Sequence, residues 1–199
     1  MKNSVLIIIV IVVVILGFVG CGASSYNGMN GARLEVDNKW AQVQSAYQRR
    51  ADLIPNLVST VKGAADFEKS TYIQVAQARA GNLVQATKVS SDQLTPEKLA
   101  EIQKANAEAQ SAMRTAINIA VESYPQLKAT ENFSGLQTQL EGTENRINQS
   151  RNEFNESVKT FNLKVSNFPG NILAGIFGFK QKPMFQSDPG AEKAPKVQF

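Results

Sequence analysis

The segment that decides the fold runs from residue 131 to residue 168 and reads ENFSGLQTQLEGTENRINQSRNEFNESVKTFNLKVSNF. Apolar or small residues recur in it at intervals of three or four. This spacing places them in one stripe along an α-helix. Thr130 is suited to cap the start of that helix, and Pro169-Gly170 ends it. We therefore predict a helix on the order of 50 Å long, with one buried stripe: Phe133, Leu136, Leu140, Thr143, Ile147, Ser150, Phe154, Val158, Phe161, Val165 and Phe168.

A second helix is predicted from Pro96 to Tyr124. Thr95 is a good N-cap, and Pro96 suits the first helical position because its missing N–H would be unpaired there anyway. Pro125 disfavours helical geometry in the residue before it and so ends the helix. The apolar stripe of this second helix contains several alanines, which let helices approach closely. The stripe consists of Leu99, Ile102, Asn106, Ala109, Met113, Ala116, Ala120 and Tyr124.

The remaining helical region is predicted over residues 33–81, with Leu34, Trp40 and Tyr47 among the residues on its apolar side. Pro55 should kink this helix, because proline removes one backbone hydrogen bond. Gly63 is a further point of division, and residues 82–94 are predicted to form a loop. The fold class is therefore all-α: an up-and-down antiparallel bundle of three long helices, the first kinked at Pro55, with a short fourth helix within Ile172–Phe179.

The N-terminal segment 4–20 (SVLIIIVIVVVILGFVG) carries no charge. With Cys21 and the two residues after it, the segment reaches about 20 residues, enough to span the hydrocarbon core of a membrane. It predicts a single-pass membrane anchor that contacts lipid. Two alternatives stay open, a cleaved secretory signal and a lipoprotein signal. In the second, Phe18-Val19-Gly20-Cys21 resembles an acylation motif with Cys21 as the lipidated residue; otherwise Cys21 is an inert small residue.

The charges that flank this segment indicate its orientation. Lys2 lies next to it, whereas Arg33 and Lys39 lie further away on the other side. Because the positive-inside rule weights charges close to the span, we expect the domain outside the cytoplasm of a bacterial cell.

Three regions follow: a membrane anchor or signal at 1–25, a helical bundle at 26–179, and an extended or disordered tail at 180–199. The tail contains three prolines and closes on Val197 and Phe199. Their alternate spacing would let this end add as a strand to a partner. Simple fraying of the terminus is the other interpretation.

Composition excludes several kinds of chemistry. The chain has no histidine, and Cys21 is its only cysteine, so Ser–His, Cys–His and Cys/His-zinc sites are excluded. Carboxylate, lysine and serine chemistry are not. Basic and acidic residues are interspersed at a net charge of +4. We therefore expect no nucleic-acid partner. We also expect no catalytic residues, cofactor or metal, and predict that the protein is not an enzyme.

Two polar motifs interrupt the apolar stripes. The first reads WAQVQ at 40–44 and YQRRADLIPNLV at 47–58; the second reads ENF at 131–133 and EGTENRI at 141–147. Together they resemble the LemA family, over nearly the whole chain after the anchor. The resemblance implies a helical bundle behind one membrane-spanning segment in bacteria, and it brings no catalytic residues with it. Cys21 departs from the family pattern, in which an ordinary anchor residue is expected.

The motifs supply eight candidate site residues: Arg49, Arg50, Asp52, Asn56, Glu141, Glu144, Asn145 and Arg146. We expect them to form an interhelical network that fixes helix register. A small polar site for a partner or ligand is one alternative. A carboxylate pair, Glu141/Glu144 or Asp52/Glu144, is another, and it would need a cleft that separates the two pKa values.

The expected function is a membrane-anchored scaffold or adaptor that binds other proteins of the cell envelope through its helical faces. A small-ligand or signal-sensing domain is the first alternative. A purely structural spacer between the membrane and a partner is a further one.

Overall fold

The computed structural model describes residues 2–61 and 71–186, and this part of the chain is helical apart from short connections and the segment after residue 177. Two 3₁₀ turns, Ser91–Gln93 and Pro125–Ala129, lie between helices. No strand occurs among these residues, so the predicted all-α class is confirmed. The helices are α1 (Lys2–Val61), α2 (Thr71–Thr87), α3 (Pro96–Ser123), α4 (Glu131–Ser166) and α5 (Gly170–Phe177).

The predicted caps of the later helices are present. The Thr95 hydroxyl accepts a hydrogen bond from the backbone N–H of Lys98 at the start of α3. The Thr130 hydroxyl accepts one from Phe133 at the start of α4. Each bond satisfies a backbone donor that has no partner inside its helix. Both helices therefore begin where their sequences predict.

The first helical region departs from the prediction. Residues 71–87 form a separate helix, α2, antiparallel to α1, so the described residues contain four long helices and not three. The predicted loop over 82–94 is wrong for residues 82–87, because Leu83 and Ala86 are buried in the core. Gly63, the predicted dividing point, lies outside the described residues. α1 continues through Pro55, and the kink there stays a prediction.

Helix α1 joins the apolar segment to the bundle without a break, whereas the sequence predicted a separate helical region that begins near residue 33. By length and composition, α1 is the one described helix that could cross a membrane. The large apolar side chains described between Leu6 and Val19 are all exposed. From Met29 onwards α1 buries one face, and Trp40, Tyr47 and Leu57 are almost inaccessible. One helix therefore has an exposed apolar N-terminal part and a part with one face buried in the bundle.

The helices are held in place by two hydrophobic cores, and α1 contributes to both. α1 packs antiparallel on α4 and α2 packs antiparallel on α3, while α2 also lies against α1. We call the first the aromatic core; it includes Met29, Val36, Trp40, Val43, Tyr47, Leu83, Leu99, Ile102, Ile147, Phe154, Val158, Phe161, Val165 and Phe185. The alanine-rich core comprises Ile54, Leu57, Ile73, Ala76, Ala80, Met113, Ala116, Ala120, Leu127, Phe133 and Leu136.

Two glycines shape the corner between α4 and the segment after it. A Cβ on Gly170 would lie 2.3 Å from the carbonyl oxygen of Lys164, so only glycine fits this close approach. Gly178 ends α5 with φ 76°, in the left-handed region that glycine favours. The corner turns the chain back, so that residues 179–186 run along α4.

Residues 180–186 are non-helical and lie against α4. The amide of Asn162 exchanges two hydrogen bonds with the backbone of Lys182, at 2.8 and 2.9 Å, and the amide of Asn155 does the same with Phe185, at 3.0 and 2.9 Å. Phe185 thereby enters the aromatic core between Trp40 and Phe154. Residues 187–199 lie outside the described residues, including Val197 and Phe199, on which the strand-addition hypothesis rests.

Candidate functional site

A buried arginine lies where the two cores meet. Arg50 is 1% exposed and sits on α1 between Tyr47, in the aromatic core, and Ile54, in the alanine-rich core. A charged side chain is rarely buried to this degree unless it is paired. Its partners therefore define a polar layer across the bundle.

The polar layer joins α1, α3 and α4 through four side chains. Arg50 donates from Nη1 to the Asn106 amide oxygen and from Nη2 to one carboxylate oxygen of Glu144. Gln110 donates to the other oxygen of Glu144 at 3.0 Å. Both carboxylate oxygens are thus used as acceptors, and the layer ties three helices in one register.

The environment of Arg50 is electrostatically costly. Burial lowers the pKa of Arg50, while the neighbouring Glu144 carboxylate acts in the opposite direction. A guanidinium nevertheless stays protonated in proteins, so the site holds a permanent cation. Arg50 Nε is also buried and has no hydrogen-bond partner among the described residues. The layer therefore depends on Glu144 to neutralise the charge.

A groove of about 440 Å³ opens above this layer, between α3 and α4. Arg50, Gln110 and Glu144 supply polar atoms, and three apolar side chains lie beside them: Met113, Ile117 and Leu140. The exposed residues Arg114, Asn118, Gln137 and Glu141 complete the lining. Apolar walls with a few convergent polar groups are typical of binding sites, and the volume falls within their range.

The structure brings only some of the eight predicted site residues together. Arg50 and Glu144 form the ion pair, and Glu141 lines the same groove. Arg49, Asn145 and Arg146 instead line a separate surface depression between α1 and α4. Neighbouring residues on a helix differ by about 100°, which turns Arg49 away from the side that buries Arg50.

The other two predicted residues lie away from both places. Asp52 is exposed and accepts a hydrogen bond from Gln48 at 2.8 Å, one turn earlier on α1. Asn56 lines a shallow depression with Asn132 and Gln139. Neither residue lines the groove above Arg50, so Asp52 and Glu144 do not form a carboxylate pair there.

Two members of the layer are absent from the predicted set. Asn106 carried a signal, because it is the polar exception within the apolar stripe of α3. Gln110 had none, since an exposed-looking glutamine on an amphipathic helix is ordinary. Only the packing of α3 against α1 and α4 brings these residues to the ion pair.

A second charged cluster anchors the segment after α5. Lys182 is 8% exposed and donates to Asp92 Oδ1 and Ser91 Oγ, both at 2.6 Å. Ser91 in turn donates to Asp37 on α1. The Lys182 ammonium lowers the pKa of Asp92. This cluster links three distant parts of the chain, near the aromatic core.

The described residues do not bring three or more Asp, Glu or Cys side chains together in a way that could hold a metal ion. No curated protein matches the sequence. The model of the LemA family matches residues 39–199, which include the bundle from the middle of α1 onwards. The match covers both polar motifs and well over half of the chain. The protein therefore belongs to the LemA family.

Proposed function

We propose that this protein is a membrane-anchored, non-enzymatic scaffold or adaptor of the bacterial cell envelope. The observation that carries the proposal is the continuity of α1, which is exposed and apolar in its first third and buried in the bundle thereafter. A break between anchor and domain would allow free reorientation. A continuous helix couples the position of the bundle to that of the anchor.

The groove between α3 and α4 is the face that we propose for partner binding. It combines three apolar side chains and the polar layer beneath with amides and charges at its edge, as protein-binding surfaces do. Arg114 and Glu141 offer charges of both signs to a partner. The polar layer beneath holds α3 and α4 in register, so the groove is preorganised.

The chemistry of the groove supports a non-enzymatic role. Both carboxylate oxygens of Glu144 accept hydrogen bonds, one from Arg50 and one from Gln110, and the chain has no histidine to act as a base beside them. The groups in the groove are therefore better suited to recognising a partner than to acting as a general acid and a general base.

We further propose that α1 crosses the membrane once, with the bundle outside the cytoplasm. The exposed apolar residues of α1 support the span, and Lys2 beside it supports the orientation. Lipidation at Cys21, which is exposed, is the alternative mode of anchoring. Mass analysis of the purified N-terminus separates the two: an intact Met1 supports the span, and a diacylglyceryl group on Cys21 contradicts it.

Site-specific photo-crosslinking in intact cells tests the scaffold proposal. A photoreactive amino acid replaces Asn118, which lines the groove, or the exposed Thr115 on the same helix as a matched control. We expect a discrete crosslinked protein from position 118 and not from position 115. Identical patterns from both positions, or none, would count against the groove as a partner site.

A second candidate function, recognition of a small ligand, is favoured by one observation: Arg50 lines the groove, and its buried Nε has no hydrogen-bond partner among the described residues. Native mass spectrometry of the full chain released from mild detergent tests it. A non-lipid small molecule retained by the wild type and lost in Glu144→Gln would favour ligand sensing over scaffolding. Absence of any such adduct would leave the scaffold as the better account.

A further inference from the structure

The end of the bundle nearest the apolar segment exposes a set of large apolar side chains. Phe168 is 80% exposed, Ile176 70% and Ile172 56%, and Leu163 and Phe177 are about half exposed. Residues 172 and 176 are four apart on α5 and so share one face, while Ala174 and Leu173 turn towards the aromatic core. We call Phe168, Ile172 and Ile176 the α5 patch.

The α5 patch lies at the level where α1 leaves its apolar segment. Phe168 lines a depression together with Ser24 and Ser25 of α1. The ring of Tyr26 packs edge-on against Phe177, with centroids 5.0 Å apart. The patch is therefore fixed beside residues 24–28, immediately after the end of the apolar run.

The dimensions of a bilayer place this level at the membrane interface. About 20 residues of α1 span the hydrocarbon core, and the headgroup region adds about 5–8 Å on each side. Residues 24–28 extend about 7 Å further along the helix. Tyr26 and the α5 patch then fall within the headgroup region, where aromatic side chains concentrate.

The stretch of chain that contains the α5 patch carries charges of one sign. The segment 157–186 contains four lysines and no Asp or Glu, and the first acidic residue of the bundle in α1 is Glu35. Lys164 precedes the patch in the chain and Lys180 follows it, and both are exposed, whereas the Lys182 ammonium is bonded to Asp92. An apolar surface flanked by exposed lysines is complementary to the surface of a membrane with anionic phospholipids.

We propose that the α5 patch is a second membrane contact, with α5 lying in the headgroup region of an anionic bilayer beside the α1 span. The inference rests on the proposed anchor and adds to it a contact that orients the bundle on the membrane. The continuous α1 holds the bundle fixed relative to the span, but the span itself can still rotate about its axis and tilt in the bilayer. A second contact would fix which face of the bundle points away from the membrane. The groove between α3 and α4 then has a defined orientation.

Depth-dependent fluorescence quenching of the full chain tests this contact. In a Cys21→Ser background, single cysteines are introduced by Ile176→Cys in the patch, Leu16→Cys in the span and Ser134→Cys at the far end of α4. Each is labelled with the fluorophore NBD. The variants are reconstituted at one copy per nanodisc in phosphatidylethanolamine and phosphatidylglycerol. The lipids carry no quencher, a doxyl quencher near the headgroup for positions 176 and 134, or a doxyl quencher along the acyl chain for position 16.

We expect the label at position 176 to emit at shorter wavelength and to be quenched several-fold more than the label at position 134. The quenching should increase with the fraction of phosphatidylglycerol and weaken in high salt, because exposed lysines act over a Debye length. Quenching at position 16 with none at position 176 would overturn this inference alone. No quenching at position 16 would overturn the anchor as well.

A substitution inside the α5 patch sharpens the test. Ile172→Asp should reduce quenching at position 176, because a charge on the apolar face disfavours its burial in lipid. Val75→Asp, at an exposed apolar site on α2, is the matched control and should change nothing. A disulfide between two copies through position 176, formed in liposomes without quenching at that position, would assign the patch to self-association and overturn the proposal.

Discussion

The aromatic core and the alanine-rich core keep the same helices together in different ways. The aromatic core interlocks large rings, with Trp40, Phe154 and Phe185 in mutual contact. In the alanine-rich core, small side chains on α2 and α3 allow the helices to approach closely. We therefore expect substitutions that remove side-chain volume to destabilise the aromatic core most, and substitutions that add volume to destabilise the alanine-rich core most.

The two cores also differ in what closes them. The aromatic core is covered by residues 179–186, held by the Asn155 and Asn162 amides and by Lys182. The alanine-rich core depends on its helices and on the 3₁₀ turn that contains Leu127. Between them lies the Arg50–Glu144 layer.

The largest expected effect is in the aromatic core. Phe154→Ala should lower the free energy of unfolding by about 3–5 kcal/mol, because it removes a fully buried ring and leaves a cavity. Urea denaturation of the full chain in detergent, followed by fluorescence of the single tryptophan, measures the loss. Tyr72→Ala, at a half-exposed aromatic site, should cost about 0.5 kcal/mol or less. Equal losses from both variants would contradict the assignment of the core.

The second largest effect on stability is expected in the polar layer. Glu144→Ala should cost about 3 kcal/mol, because it leaves the Arg50 cation buried without a counter-charge; the partial exposure of Glu144 keeps the loss at the lower end of the usual range. Glu141→Ala, at the edge of the groove, is the control and should stay within about 0.5 kcal/mol of wild type.

A double substitution separates the cost of an unpaired buried charge from the net contribution of the ion pair. Arg50→Met with Glu144→Leu removes both charges and should recover most of the loss caused by Glu144→Ala alone. The recovery is measured in the same urea experiment. If the double variant proved less stable than the single one, the ion pair would contribute net stability and our account of the layer would be wrong.

Added volume should test the alanine-rich core. Ala116 is fully buried, so Ala116→Leu should cost about 1–3 kcal/mol through overpacking. The exposed neighbour Thr115→Leu serves as the control and should be neutral or slightly stabilising, because leucine favours helices. Hydrogen exchange of α2 and α3 is the measurement, since the tryptophan lies in the other core. Stable Ala116→Leu protein would mean that the helices are more loosely packed than described.

The smallest effect concerns pH. Lys182 lowers the pKa of Asp92, so this pair contributes stability above the ordinary aspartate pKa and loses it as the pH falls through the lowered value. Asp92 is mostly exposed, and the contribution should stay below about 1 kcal/mol. The acid dependence of stability should therefore differ slightly between wild type and Asp92→Asn. In a Lys182→Met background the difference should shrink, because only the weaker Coulombic effect of Arg33 then lowers the pKa of Asp92. A difference of unchanged size would place the cause elsewhere.

Some residues of the candidate site were predictable from the sequence, and others were not. Arg50 was predictable because it interrupts the apolar stripe of α1, and Glu144 because it lies beside the stripe of α4. Arg49, Asp52 and Asn145 belong to the same motifs but face other directions, since helical rotation separates adjacent residues. Gln110 joined the layer without any local signal. Asn155 and Asn162 also looked ordinary, and their role depends on a segment that returns from beyond α5.

The sequence by itself determined the all-helical class, the caps and starts of α3 and α4, and the apolar character of the N-terminal segment. These properties depend on residue spacing and on side chains that bond to the backbone a few residues away. The tertiary structure alone decided that α2 is separate, that α1 runs unbroken into the bundle, and that Arg50 meets Asn106 and Gln110. Those outcomes depend on contacts between residues far apart in the chain, which local periodicity does not specify.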